Sequence, residues 1–274
     1  MGTDGYEAEA LDVLEQRFWR EIWETAVPDA VDEHGIAIER FGPVQATAIA
    51  DLPDQRWLNL VLGATAPGAV EGGHLEEAVK WIEGIGVDYY VPVTPGVPGT
   101  GAAEDWLNQR GYGHGYGWMK FLRDASPPDL PEPPGVEVFE LAEGEGEGFS
   151  AIVAEGFGMP VWAGTLFYDL PGREGWHCYV AAVDGEAAGA AAMLAHGGIA
   201  EFGLAATLDS ARGRGCQTAL LRRRIADAAA VGCHTLFVET GERRPDRPEG
   251  SYRNILRAGF REAYLRPNWQ TPAD

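Results

Sequence analysis

Apolar residues recur every three to four positions over residues 7–26, which predicts an opening amphipathic helix. Apolar stretches at 36–40, 45–51 and 58–63 follow and read as strands. Residues 74–93 then run helix, glycine, apolar strand, and residues 103–123 run helix, Gly-aromatic, strand. Farther on, a strand is predicted at 136–141, a helix from Ser150 to Phe157, and a short helix between loops within 157–175. "WHCYVAAVDGEAAGAAAML" (176–194) predicts a hairpin, because Asp184-Gly185 is a two-residue turn signal between apolar runs. A strand at 199–207 comes next. Residues 216–231 form a helix with Ala219, Leu220, Ile225 and Ala229 on one side and Gly232 as its cap. The chain closes with a strand at 234–240, a short helix at 250–260 ending at Gly259, and a strand at 261–269.

The closing elements echo the earlier ones. Gly86 and Gly111 are 25 residues apart, Gly232 and Gly259 are 27 apart, and each pair brackets a strand and a helix. Such self-similarity predicts two copies of one α/β fold. Between them lies "SPPDLPEPPG" (126–135), with five prolines in ten positions. Proline lacks a backbone N–H and biases its predecessor to extended geometry, so this stretch reads as a stiff linker. The expected domains are therefore residues 1–125 and 136–274 of the 274-residue chain.

Charge narrows the function classes. Forty-two acidic against 21 basic residues leave a net charge of −21, which disfavours nucleic acid and anionic membrane surfaces as partners. An acidic surface suits cationic substrates and serves solubility equally well. No stretch approaches the ~20 apolar residues of a membrane span, and the acidic start does not read as a signal peptide, so a cytoplasmic location is expected. Cys178, Cys216 and Cys233 form no CxxC pair, and the six histidines show no HxH or HExxH spacing. Neither a disulfide framework nor a metal site is expected.

Within this acidic chain, "DSARGRGCQTALL" (209–221) places Arg212, Gly213, Arg214 and Gly215 between a strand and a helix. Free N–H groups and the positive dipole end of a helix attract anions, and glycines let a phosphate approach the backbone. Arg212 and Arg214 add positive charge at the rim. A plain turn is the alternative. The loop lacks GxxxxGK[ST] and the third glycine of GxGxxG, so it is neither of those phosphate loops.

Residues 199–269 resemble the core of the GNAT superfamily of acyl-CoA N-acyltransferases, whose pyrophosphate motif Q/R-x-x-G-x-G/A lies between a strand and a helix. Here the motif reads Arg212-Gly213-Arg214-Gly215-Cys216-Gln217, with Gln217 where Gly or Ala is usual. "ALL" (219–221), "RAGF" (257–260) and "SYRNILRAGF" strengthen the likeness, the last resembling a branch with S-x-R-N before the Gly-Phe pair. The resemblance implies two GNAT-like domains in tandem, each a mixed α/β, mostly antiparallel sheet splayed at its centre and flanked by helices. It covers residues 136 onward well. The first half looks like a degenerate copy, since "GATAPGAVEGGHLEEA" (63–78) has glycines and no positive charge.

That family likeness implies acetyl-CoA, or another acyl-CoA, as co-substrate, a small-molecule amine as acceptor, and a monomer or homodimer. Backbone amides of Gly213, Gly215, Cys216, Gln217 and Thr218 would hold the diphosphate, with Arg212 and Arg214 beside it. Leu204, Ala205, Ala206 and Thr207 would pair with the pantetheine arm, and strand 234–240 would diverge to leave a slot. Arg253 and Asn254 would approach the pantetheine or adenosine end, although Arg253 reads equally as a solvated helix residue. Glu201 and Glu239 are the base candidates, each with the alternative of a strand carboxylate facing water. The usual tyrosine acid is replaced by Ile255, leaving Tyr252 as a stand-in, with Ser251 and Tyr264 as further options. Trp162, Phe167, Tyr168, Trp176 and His177 either line an acceptor pocket or belong to the core. Cys216, at a helix start, could have a lowered thiol pKa and is read as a backbone donor. A catalytically silent CoA-binding sensor and a nucleotide-binding α/β domain are the rival functions.

Overall fold

The computed structural model describes residues 5–246 and 249–271, which fold as two units. One comprises the chain up to Glu24, Pro28–Met119 and everything from Ala263 onward; the other comprises Thr25–Val27 and Lys120–Glu262. This division departs from the boundary expected at the prolines. The reason is that each unit takes a strand from the other half of the sequence.

In the first unit, α1 (Gly5–Glu24) ends four residues before Pro28, which opens a short helix, α2 (Pro28–His34), that the periodicity did not reveal. Leu11, Leu14, Phe18 and Ile22 of α1 are buried at the three- and four-residue spacing of one helix face. Strands β1 (Ile36–Phe41), β2 (Val44–Ile49) and β3 (Leu60–Leu62) form an antiparallel sheet, covered by α3 (His74–Ile85) through Leu75, Ala78 and Ile82. After α3 come β4 (Val91–Pro92), α4 (Thr100–Gln109) and β5 (Gly113–His114).

The final strand expected at 261–269 is two strands, β12 (Arg261–Arg266) and β13 (Asn268–Gln270), divided at Pro267, which has no N–H to donate. β13 lies antiparallel between β4 and β5, with Trp269 opposite both Val91 and His114. Arg266, 1% exposed, forms a two-point ion pair with buried Glu15 of α1; its Nη2 lies 2.7 Å from Oε1. Asn268 Nδ2 donates to Tyr116 O at 2.7 Å.

The second unit holds β6 (Trp118–Asp124) from Lys120 onward, β7 (Val136–Glu140), α5 (Gly146–Gly156), β8 (Trp176–Val183), β9 (Glu186–His196), β10 (Ile199–Thr207), α6 (Cys216–Ala230), β11 (Thr235–Gly241), α7 (Gly250–Arg257) and the start of β12. The sheet runs β12-β6-β11-β10-β9-β8-β7. Its β7-β8-β9-β10 side is antiparallel, and β10 and β11 are parallel. β6 thus occupies between β11 and β12 the place that β13 occupies between β4 and β5. Asp184 (φ 53°) and Gly185 (φ 87°) make the expected tight β8–β9 turn.

α6 covers β8, β9 and β10 with a stripe at four-residue spacing: Cys216, Leu220, Arg224 and Ala228. Ala229, expected on that side, is exposed. The proline-rich stretch is packed, not free. Pro133 lies against Gly215, and Arg222 Nη1 donates to Leu130 O. No helix among the described residues is long and apolar enough to cross a membrane.

The Arg266–Glu15 pair generates a test of the exchanged tail. Removing one partner of a buried ion pair strands the other charge, so Arg266→Met should destabilise the first unit by about 3–5 kcal/mol. Replacing both partners with apolar residues should cost less, as urea unfolding of the three proteins would show.

Candidate functional site

The β10–β11 pairing is short. Ile199, Ala200, Glu201 and Phe202 face Thr235, Leu236, Phe237 and Val238 in parallel register, and pairing stops there. On its other side β10 stays with β9, but the register shifts between Gly203 and Ala206. Within that shift Leu204 is left-handed, with φ 49°, a conformation that costs a residue with a Cβ about 1–2 kcal/mol. The result is a β-bulge beyond which the edge of β10 that faced β11 has no strand beside it. The divergence expected from the sequence is present.

The loop leading to α6 begins with a 3-10 turn, Asp209–Ala211, where Arg212 N donates to Asp209 O and Arg214 N to Ala211 O. Gly213 (φ 80°) and Gly215 (φ 97°) then adopt backbone that favours glycine, and Gly215 caps α6 without a side-chain acceptor. The next backbone bond runs from Ala219 N to Gly215 O. The N–H groups of Gly213, Gly215, Cys216, Gln217 and Thr218 therefore have no backbone acceptor among the described residues. No acidic residue occupies the first turn of α6.

These groups border a cleft of about 540 Å³, lined on the β10 side by Ala205, Ala206 and Thr207. Thr207 Oγ1 is buried there without a hydrogen-bond partner. From α7 come Gly250, Ser251, Asn254 and Arg257, which share one helix face. Arg212 lines the rim, and its 2.7 Å pair with Asp209 joins two well-exposed side chains. Such a pair is weak and can give way to a bound anion.

Several expected residues stand elsewhere. Leu204 is buried in the bulge, and Arg214 reaches to Asp184 at 2.5 Å; neither lines the cleft. Arg253 is exposed and also absent from the lining, where Arg257, one helical turn on, takes its place. The S-x-R-N motif drew attention to Arg253; the three-residue spacing from Asn254 was the signal for Arg257. Burial pushes the Cys216 thiol above its ordinary range, against the lowering effects of a backbone N–H and Arg214. The lowered thiol pKa considered from its helix position is thus reversed, although Cys216 lines the cleft.

Of the proton-transfer candidates, Ser251 lines the cleft, whereas Glu201, Glu239, Tyr252 and Tyr264 lie outside the lining. Glu201 is 4% exposed, so it is not a strand carboxylate facing water. Glu239 Oε2 lies 2.6 Å from Nζ of buried Lys120. Tyr252 of α7 is buried, whereas its neighbour Ser251 is exposed. The Tyr252 hydroxyl donates to Glu262 at 2.6 Å, and its ring meets Phe121 edge-on at 4.8 Å. Burial first, and Glu262 second, raise its pKa to about 12. Of the aromatic acceptor candidates, Phe167 and Trp176 are core residues, Tyr168 is exposed, Trp162 is half-buried, and His177 lies 2.6 Å from Glu140.

The first unit repeats the loop geometry without its chemistry. Gly73 (φ 75°) caps α3 as Gly215 caps α6, but Glu76 and Glu77 occupy the first turn of α3, and Leu75 N donates to Ala69 O at 2.9 Å. Two carboxylates at a helix start repel an incoming phosphate.

No protein-family model and no curated protein matches the sequence. Solved structures do. A GCN5-related N-acetyltransferase from Kribbella flavida aligns over 100% of this chain and 97% of its own, at 18% identity and TM-score 0.62. A tandem GNAT protein from the clavulanic acid biosynthesis pathway aligns over 84% of this chain and 79% of its own, at 15% identity and TM-score 0.57. The fold is a tandem GNAT fold. A GCN5-related N-acetyltransferase from Sphaerobacter thermophilus adds a third likeness, at 17% identity and TM-score 0.58 over 85% of this chain and 78% of that one. The second half joins a parted sheet to a glycine loop whose helix start carries no acid.

Two outcomes follow from this geometry. A Cβ on Gly213 meets nothing within 4 Å, whereas one on Gly215 would stand 2.5 Å from Pro133. Gly213→Ala should therefore cost only the left-handed strain, about 1 kcal/mol, and Gly215→Ala distinctly more, by urea unfolding. The second outcome concerns Tyr252, whose folded pKa of about 12 exceeds the ordinary 10.0. Its contribution is complete below pH 10 and is lost as pH rises through about 12. The stability gap between wild type and Tyr252→Phe should narrow across that window.

Proposed function

We propose that this chain is an acyl-CoA-dependent N-acyltransferase that moves the acetyl group of acetyl-CoA to a primary amine of a small molecule within a ternary complex. The observation that carries this reading is the contiguity of two unsatisfied backbone surfaces. Five N–H groups at the start of α6 suit a diphosphate, and the open edge at Ala205–Thr207 suits the amides of a pantetheine arm. An arm laid along that edge points its thioester toward the place where β10 and β11 part. There the amine lone pair attacks the carbonyl carbon, the C–N bond forms, the C–S bond breaks, and the thiolate leaves.

The amine must first lose its ammonium proton. We assign the base to Glu201, whose register partner Phe237 precedes by one position the last pair before the strands separate. Tyr252 is not assigned the acid, because its hydroxyl is engaged by Glu262. A thiolate is a tolerable leaving group and takes up the proton that the attacking nitrogen sheds as the amide forms. Ser251 and Asn254 stand where α7 meets the substrate. A catalytically silent CoA-binding module is the second reading, and it is favoured by one observation: Glu201, Glu239 and Tyr252 all lie outside the cleft lining.

Calorimetric titration of acetyl-CoA tests the binding half. Gly213→Asp keeps a residue that tolerates left-handed backbone, in open space, and sets a carboxylate against the diphosphate. Its affinity should fall about ten-fold or more; equal binding by both proteins would sink the reading. Release of free thiol from acetyl-CoA with a panel of small amines tests the chemistry, and tight binding with no thiol release would establish the silent module instead.

A further inference from the structure

Arg224 occupies the middle of the buried stripe of α6 at 1% exposure. Its guanidinium has no carboxylate partner among the described residues. Nη1 donates to Ala192 O at 3.1 Å and reaches Gly203 O at 3.5 Å, while Nε donates to Leu220 O at 3.3 Å. The group lies over the Phe202 ring, 4.7 Å from its centroid. A buried cation held by carbonyl dipoles and a ring face, with no carboxylate beside it among the described residues, is expensive, and an apolar side chain of similar length would fill the same space. Desolvation lowers its pKa to about 10, which still leaves it charged at neutral pH.

The two carbonyls explain the cost. Ala192 and Gly203 are register partners and form the last regular pair of the β9–β10 ladder before the shift at Leu204. The strands around them, "AGAAA" (188–192) and "GLAA" (203–206), are alanine and glycine apart from Leu204. Such strands specify register poorly, because sliding by one position meets little steric resistance. Directional bonds from a fixed guanidinium supply what the side chains do not.

We infer that Arg224 is a positioning residue that pins the last rung of the β9–β10 ladder, so that the bulge falls at Leu204 and the edge of Ala205–Thr207 is held open for the acyl-CoA arm. The role of that edge rests on the function proposed above; the pinning of the bulge does not.

The test compares wild type, Arg224→Met and Arg224→Lys. Native-state hydrogen exchange should quicken at residues 203–207 in Arg224→Met, with the amides of β8 and α6 unchanged. By calorimetry, acetyl-CoA should bind about ten-fold more weakly, the worth of a pair of ordinary hydrogen bonds. ADP, which has the diphosphate and lacks the pantetheine arm, should lose nothing. Arg224→Lys should recover part of both effects. Unaltered exchange at 203–207, or equal losses for acetyl-CoA and ADP, would overturn the inference. If Arg224→Met does not fold, the same split is required of Arg224→Lys at smaller size. If wild type binds no acetyl-CoA, the proposed function fails, and the exchange pattern alone decides whether Arg224 pins the bulge.

Discussion

The cleft of the second unit depends on where β10 and β11 separate. Main-chain N–H and C=O groups need partners, and a sheet normally supplies them along its whole length. Here pairing ends after Phe202 and Val238, and the bulge at Leu204 keeps the next residues of β10 on β9 alone. The chain then turns into α6, whose first N–H groups also lack backbone partners among the described residues. Two kinds of unmet backbone polarity meet at one cleft, and Gly213 and Gly215 let the connecting loop pass between them without Cβ strain. The cleft is thus defined chiefly by the main chain, with Arg212, Asn254 and Arg257 at its margin.

A parted sheet needs support on its other side. β11 meets β10 over only four residues, and β6, from the first half of the sequence, covers its opposite edge. Buried Lys120 of β6 joins Glu239 of β11 at 2.6 Å. The first unit is completed in the same way: β13 inserts between β4 and β5, and the chain just before it is anchored by Arg266 and Glu15. Each half of the sequence thus lends one strand to a sheet of the other. The proline segment belongs to this scheme as packing, since Pro133 occupies the space that a side chain on Gly215 would need. The duplication has also diverged in charge. Glycine caps both α3 and α6, but the first turn of α3 carries Glu76 and Glu77 while that of α6 carries no acid.

Much of the architecture was legible in local pattern. Helical periodicity located α1, α3 and α6, the Asp184-Gly185 pair located the β8–β9 turn, and the repeated glycine spacing disclosed the duplication. The glycine-arginine loop was legible as well, because dihedral freedom and charge are properties of a few consecutive residues. Side-chain direction was less so. On an eight-residue helix, Arg253 and Arg257 look alike in sequence, and so do Ser251 and Tyr252; which of them enters the cleft depends on the rotation of α7 against the sheet.

What the amino-acid order determined by itself is the set of local elements, the twofold repetition, and one arginine-glycine loop before a helix in an otherwise acidic chain. These are properties of neighbouring residues. What only the tertiary structure decided is the exchange of β6 and β13, the burial of Arg224 against the last regular rung of a ladder, and the removal of Tyr252 from the cleft. Each of these is set by partners distant along the chain, as Glu15 and Arg266 are at 251 positions apart, and no short-range period in the sequence encodes which distant partner will be met.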